Sequence, residues 1–333
     1  MKKILLLMLV PVLLASCGNK GERRFYDGMK DRGPVAECEV SFLIKSNLGG
    51  RVSLTDTCIQ YVTYNKITRY RYDGTVIDSL VIDGVNNIYS YDSDSLGYYF
   101  YDLSGERRIV GYSLRGDTLF TKHITTLSPI GYFGGGKFAV PDVDSTLTEY
   151  NVYLVDTNNG ISKPVFNLMQ AFTPDTNDAI ACSFSLACRF GNNVDGKLLL
   201  YSHFNSNFVV MEGDSVFRIG KDYRNISAAR TIYIGHNRRL DPMNCGVRTG
   251  VADSTGVYLI TPRYYAERWC DSGTERNIDI YDAESFRYLG SRELPESKGR
   301  YISSISKNGN RIVVLYEGGY EGAEIKVFNV ENL

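Results

Sequence analysis

The chain has 333 residues, with 37 Lys and Arg set against 38 Asp and Glu. That balance argues against nucleic-acid binding, which needs a basic face or stripe. With 25 Tyr, 15 Phe, 32 Gly, nine Pro and one Trp, the composition suits strands joined by tight turns.

The chain opens on Lys2 and Lys3, followed by an apolar run from Ile4 to Leu14. The run falls short of the roughly 20 residues a membrane span needs and has the size of a signal-peptide core. Leu14-Ala15-Ser16-Cys17 follows and resembles the lipobox of bacterial lipoproteins. The resemblance implies cleavage before Cys17 and lipidation of its thiol. Residues 1–16 are then signal peptide, and the mature chain carries 37 − 2 = 35 basic residues against 38 acidic, a charge near −3. Residues 17–36 are polar and aperiodic and read as a lipidated N-terminus and flexible tether, leaving 37–333 for the folded domain. The lipid is the expected partner of a membrane, because several acyl chains on one residue anchor stably. Gly18 carries no strong retention signal, so the expected location is the outer membrane, facing the periplasm or the cell surface.

From residue 37 onward, helical periodicity is confined to a weak stretch near Val165–Ala171. The rest alternates short apolar runs with Gly, Asn, Asp and Ser, an all-β pattern. The first unit is Thr68–Tyr72, Asp73-Gly74, then Thr75–Ile82; Asp-Gly between such runs is a strong hairpin signal. The unit recurs with strands ending at Tyr72, Leu114, Val155, Met211, Tyr281 and Phe328, in steps of 42, 41, 56, 70 and 47 residues. A four-stranded propeller blade occupies roughly 40–50 residues. Six units therefore predict a six-bladed β-propeller, with insertions around 170–182 and 221–246. The last unit lacks an outer strand, and Val40–Lys45 is free to supply it, so the N-terminal strand is predicted to complete the last blade. The lipobox, the repeating strand–turn–strand units and the closing Ser306–Val314 and Ile325–Phe328 together resemble the TolB-like six-bladed propeller lipoproteins of Gram-negative gut and oral bacteria. That resemblance implies a fold and a location and no reaction.

Sites of chemistry are sparse. Beyond Cys17, six cysteines remain, an even number in a compartment that permits disulfides; their spacing contains no CxxC pair. His123, His203 and His236 fall in different blades or loops, so no metal site is expected, and no cofactor motif is present. Asp92–Gly97 begins like a calcium loop but places Leu103 where a bidentate Glu is required, and reads as a polar hairpin turn. Gly134-Gly135-Gly136-Lys137 lacks the phosphate-loop frame and reads as a turn before a strand. Gly111–Arg115 misses the final glycine of a nucleophile elbow. Four Asp-Ser and Asp-Thr tripeptides, at Asp78, Asp94, Asp117 and Asp214, resemble periplasmic O-glycosylation acceptors but also suit strand-opening turns.

The most distinctive loop is Ile234–Arg239, where His236, Arg238 and Arg239 form a small basic cluster able to hold carboxylate or phosphate. Arg263–Trp269 adds aromatic residues suited to stacking. His236, Arg238, Arg239 and Trp269 are the predicted ligand-binding residues. The composite expectation is a non-catalytic binding or scaffolding lipoprotein that engages an envelope protein or glycan. The alternative is an envelope hydrolase or lyase with paired carboxylates in the propeller channel.

Overall fold

The computed structural model describes residues 24–25, 34–45, 49–103, 105–124, 126, 128–143, 150–160, 162–172, 186–213, 215–224, 231–234, 237–240, 246–261, 264–265, 277–319 and 322–333. Six four-stranded antiparallel sheets account for most of them. Blade 1 runs Arg51–Leu54, Ile59–Thr63, Lys66–Tyr70, Val76–Val81, and blade 2 runs Ile88–Ser93, Gly97–Asp102, Arg108–Ser113, Thr118–His123. Blade 3 is Gly131–Gly134, Lys137–Val143, Tyr150–Asp156, Ser162–Asn167, and blade 4 is Cys188–Phe190, Lys197–Ser202, Asn207–Glu212, Val216–Lys221. Blade 5 is Thr249–Ala252, Gly256–Thr261, Asn277–Asp282, Tyr288–Glu293. Blade 6 is Tyr301–Asn308, Arg311–Gly319, Gly322–Asn329, and its fourth strand is Cys38–Ile44 from the other end of the chain.

The burial pattern explains why these residues make blades. Second strands are continuous apolar runs, fully buried along their length in Gly97–Asp102 and Gly256–Thr261. They are clamped on both faces by neighbouring sheets, the situation in which strands lose polar–apolar alternation. Fourth strands keep it, alternating exposed and half-buried residues in Val76–Val81 and Thr118–His123. Each of the six recurring units seen in the sequence is the hairpin between a blade's third and fourth strands, the sixth using the N-terminal strand as its partner.

Apolar packing closes the ring. Buried clusters join blades 1 and 2 (Val62, Tyr98, Phe100), 2 and 3 (Tyr99, Tyr132, Phe138) and 3 and 4 (Val152, Leu198, Leu200). Others join 4 and 5 (Leu199, Val210, Leu259), 5 and 6 (Ile260, Ile305, Val314) and 6 and 1 (Val313, Ile325, Tyr61). Each such side chain is worth roughly 1.5–3 kcal/mol when buried, so no blade is independent of its neighbours. The predicted closure is present: Val40 pairs with Val327, Phe42 with Ile325 and Ile44 with Ala323. Just before it, the Ala36 amide donates to Glu293 O at 2.7 Å, seating the incoming chain against blade 5. Within the segment read as tether, Arg24–Phe25 pairs with Tyr264–Tyr265.

The weak helical reading near Val165–Ala171 is corrected. Ser162–Asn167 is the outer strand of blade 3, and only Leu168–Gln170 turns, as a 3-10 helix whose Met169 amide donates to Asn167 Oδ1 at 2.8 Å. Pairing with Asn151–Val155 overrides local propensity, and Pro164 is tolerated because the strand is an edge. Of the cysteines, Cys38, Cys58 and Cys188 are free thiols; Cys182, Cys245 and Cys270 lie outside the described residues.

Candidate functional site

The six inner strands surround a central cavity of about 380 Å³. Residues at or near the start of those strands share its lining: Arg51 in blade 1, Tyr89 in blade 2, Arg189 in blade 4, Arg248 in blade 5 and Tyr301 in blade 6. Repetition of one blade plan brings them together, since each inner strand begins at the same level of the ring. Close approach is built in as well: a Cβ on Gly191 would stand 2.3 Å from Gly250 O, so the inner strands of blades 4 and 5 meet only because that position is glycine.

Electrostatically this is a cationic site. Arg51, Arg189 and Arg248 all act on His203. Burial, then the three guanidinium groups, push the His203 pKa down to about 3, so the imidazole is neutral at pH 7. Burial and the neighbouring Arg189 also lower the Arg51 pKa, although guanidinium stays charged throughout the physiological range. Among the described residues, Arg51 and Arg189 form no salt bridge. Glu317 is the carboxyl close to this group, and burial raises its pKa despite hydrogen bonding from the Gly50 amide at 2.7 Å. The Arg248 guanidinium carbon sits 5.5 Å from the Tyr301 ring centre. Tyr201 and His203 lie 6.1 Å apart at 17°.

The cavity is crossed deeper in. Asn193 of blade 4 donates its amide to Asp92 Oδ2 of blade 2 at 2.9 Å, and Asn192 Nδ2 donates to Val52 O of blade 1 at 3.3 Å. Blades 1 and 4 stand opposite each other in the ring, so these bonds span the channel and give the cavity a floor. Asp92 is buried, and burial pushes its carboxyl up to about 7. Its other oxygen accepts the Ser93 amide at 2.8 Å. Asp94 makes the expected hairpin turn, accepting the Leu96 and Gly97 amides at 2.7 and 3.1 Å and Tyr132 Oη at 2.6 Å.

The residues singled out by sequence are elsewhere or outside the described part. Arg238 and Arg239 lie on the ribbon Thr231–Ile234 and Asn237–Leu240, opposite Tyr233 and Ile232. Cys17, His236 and Trp269 fall outside the described residues. His123 sits on the outer strand of blade 2, 3.3 Å from Glu106. Among the described residues, no three His, Cys, Asp or Glu side chains converge as metal ligands. The channel group of Arg51, Arg189, His203 and Arg248 has no local motif; its one sequence signature is a charged or aromatic residue recurring where inner strands open.

No family model matches the sequence, and no curated protein matches it. Among solved structures the fold is similar to a member of the DUF4221 family from Bacteroides vulgatus, with 10% identity over 89% of this chain and 98% of that one, at a TM-score of 0.58. The Pan2 WD40 domain of Neurospora crassa aligns at 11% identity over 91% and 98% of the two chains, TM-score 0.47. A Bacteroides caccae protein of unknown function aligns at 11% over 78% and 87%, TM-score 0.46. At these identities the likeness is one of fold. The chain is an all-β six-bladed propeller.

Proposed function

We propose that this chain is a TolB-like envelope lipoprotein, anchored through Cys17, whose propeller captures an anionic ligand in the channel mouth without transforming it. One observation carries the binding reading: three arginines line a single cavity around a neutral imidazole, with the Glu317 carboxyl beside them, its pKa raised by burial. Guanidinium groups are suited to carboxylate, sulfate and phosphate because their donors form a planar fork. The volume falls near the lower end of the roughly 300–1,000 Å³ typical of small-molecule sites, so the occupant is a small anion or the end of a larger one. Catalysis by paired carboxylates is less well supported. Both Asp92 oxygens accept backbone amides, and Glu317 accepts the Gly50 amide; these groups brace the channel.

The test is calorimetric titration of the mature protein with sulfate and citrate, beside Arg189→Gln. Binding that weakens at least tenfold in the variant, with an unchanged melting temperature, is the expected result, since a charge-assisted contact is worth about 1.5–3 kcal/mol. Failure of every anion to bind, or binding indifferent to Arg189, removes the proposal. Anchoring is tested separately: Cys17→Ser should move the protein out of the detergent phase, and a variant that still partitions like the parent refutes it.

A further inference from the structure

His203 supplies a feature that three arginines alone do not. Its Nε2 is shielded from solvent and has no hydrogen-bond partner. The Arg248 backbone interacts with the ring in the sense that favours a proton, and with Nε2 unpartnered that interaction falls to Nδ1. A neutral imidazole with its proton on Nδ1 presents Nε2 as an acceptor. A buried acceptor without a donor costs roughly 1–3 kcal/mol, and such groups in native proteins call for an explanation. His203 lines the cavity beside three cationic donors, Arg51, Arg189 and Arg248, with the Glu317 carboxyl close by. The complement of that set is a molecule with an anionic group for the arginines and a hydroxyl donor beside it for Nε2.

Shape narrows the class further. Tyr89, Tyr201 and Tyr301 line the cavity, and tyrosine combines a flat apolar ring with a polar tip, a chemistry that suits the C–H face of a pyranose. Asn192 lines the floor and adds a side-chain amide, a group that hydrogen-bonds to hydroxyls. Resting on the anion-site reading above, we propose that the channel mouth takes a sugar acid: a hexuronate-like ring whose carboxylate lies among Arg51, Arg189 and Arg248 and whose hydroxyl donates to His203 Nε2. Neutrality of the imidazole keeps that acceptor available across the physiological range, because its pKa is far below 7.

The experiment compares D-glucuronate, cyclohexanecarboxylate and D-glucose by titration calorimetry with the mature protein, then repeats the series on His203→Phe and His203→Gln. Cyclohexanecarboxylate keeps the ring and the charge without hydroxyls; glucose keeps hydroxyls without charge. Glucuronate should bind tighter than either. The loss of one neutral hydrogen bond corresponds to about 3–10-fold, so His203→Phe should weaken glucuronate by that factor and leave cyclohexanecarboxylate unchanged. His203→Gln, which retains an acceptor, should restore part of the difference; if both variants melt below the parent, the glucuronate-to-cyclohexanecarboxylate ratio on the parent decides. Equal affinity for the two acids, or an advantage for glucuronate that survives His203→Phe, overturns the sugar-acid assignment while leaving the anion site standing. No binding by any acid, sulfate and citrate included, overturns both.

Discussion

Replacing Lys307 with Met tests how the inner turns of blades 5 and 6 are held. Lys307 Nζ is bonded to Asp253 Oδ2 with side chains only 1% and 2% exposed, and it donates further to Gly309 O at 2.8 Å and Thr255 Oγ1 at 3.2 Å. Asp253 Oδ1 keeps its own donors, the Thr255 and Gly256 amides at 2.8 and 3.1 Å and Thr255 Oγ1 at 2.7 Å. Lys307→Met preserves the aliphatic stem but leaves a buried carboxylate facing a thioether. Breaking a buried pair from one side costs about 3–5 kcal/mol. For a chain of this size, each kcal/mol moves the melting temperature by roughly 2–4 °C, so a fall of about 6–20 °C is expected by circular dichroism. The double variant Lys307→Met with Asp253→Asn should recover about 1–3 kcal/mol of that loss, because the neutral amide leaves no unpaired charge buried. A single variant within 1 kcal/mol of the parent, or strictly additive costs, would falsify the claim that this pair joins the two blades.

Asp92 carries a pH signature. Its folded pKa of about 7 stands above the ordinary carboxylate value of 3.8, so the folded state holds the proton more tightly. Its contribution is intact below about pH 4 and is lost as pH rises through 7, a decline on the order of 4 kcal/mol. Asp92→Asn should lose about 1–3 kcal/mol at pH 5, because one backbone amide loses its acceptor, yet close on the parent by pH 8; parallel urea-midpoint curves between pH 5 and 8 would refute this. Deleting residues 37–46 removes the outer strand of blade 6 and exposes the Gly322–Asn329 edge, so the ring should melt far below the parent. Deleting residues 18–34 should leave the melting temperature within a few degrees, since the backbone bonds lost among the described residues are the Arg24–Phe25 pairing and the one from the Glu293 amide to Pro34 O; equal melting of the two truncations would rule out the closure.

The fold was legible because its repeating signal is local. Asp73-Gly74, Arg115-Gly116-Asp117 and Asp282–Ser285 each sit between a third and a fourth strand, where turn chemistry and alternation fall within a dozen residues. The missing outer strand of the last blade could be counted for the same reason. The channel site was not legible, because Arg51, Arg189, His203 and Arg248 belong to three blades and share no window of sequence. Local charge density drew attention to Arg238 and Arg239 instead, on a ribbon between blades 4 and 5. His203 is an isolated histidine in the sequence, and only the ring geometry brings three arginines to bear on it.

Closure by the N-terminal strand also sets a clock. Ser41 Oγ is hydrogen-bonded to Glu324, and 283 positions separate them along the chain. At a synthesis rate of roughly 5–20 residues per second, Ser41 emerges about 15–60 s before Glu324. Blades 1 to 5 can pair internally during that interval, since their strands are sequential neighbours. Blade 6 cannot be completed until synthesis is nearly over, and the cavity takes its lining from all six blades. The binding pocket is therefore among the last features to form, since its lining is completed by Tyr301, Ser303, Ser304, Ile305 and Glu317 of blade 6.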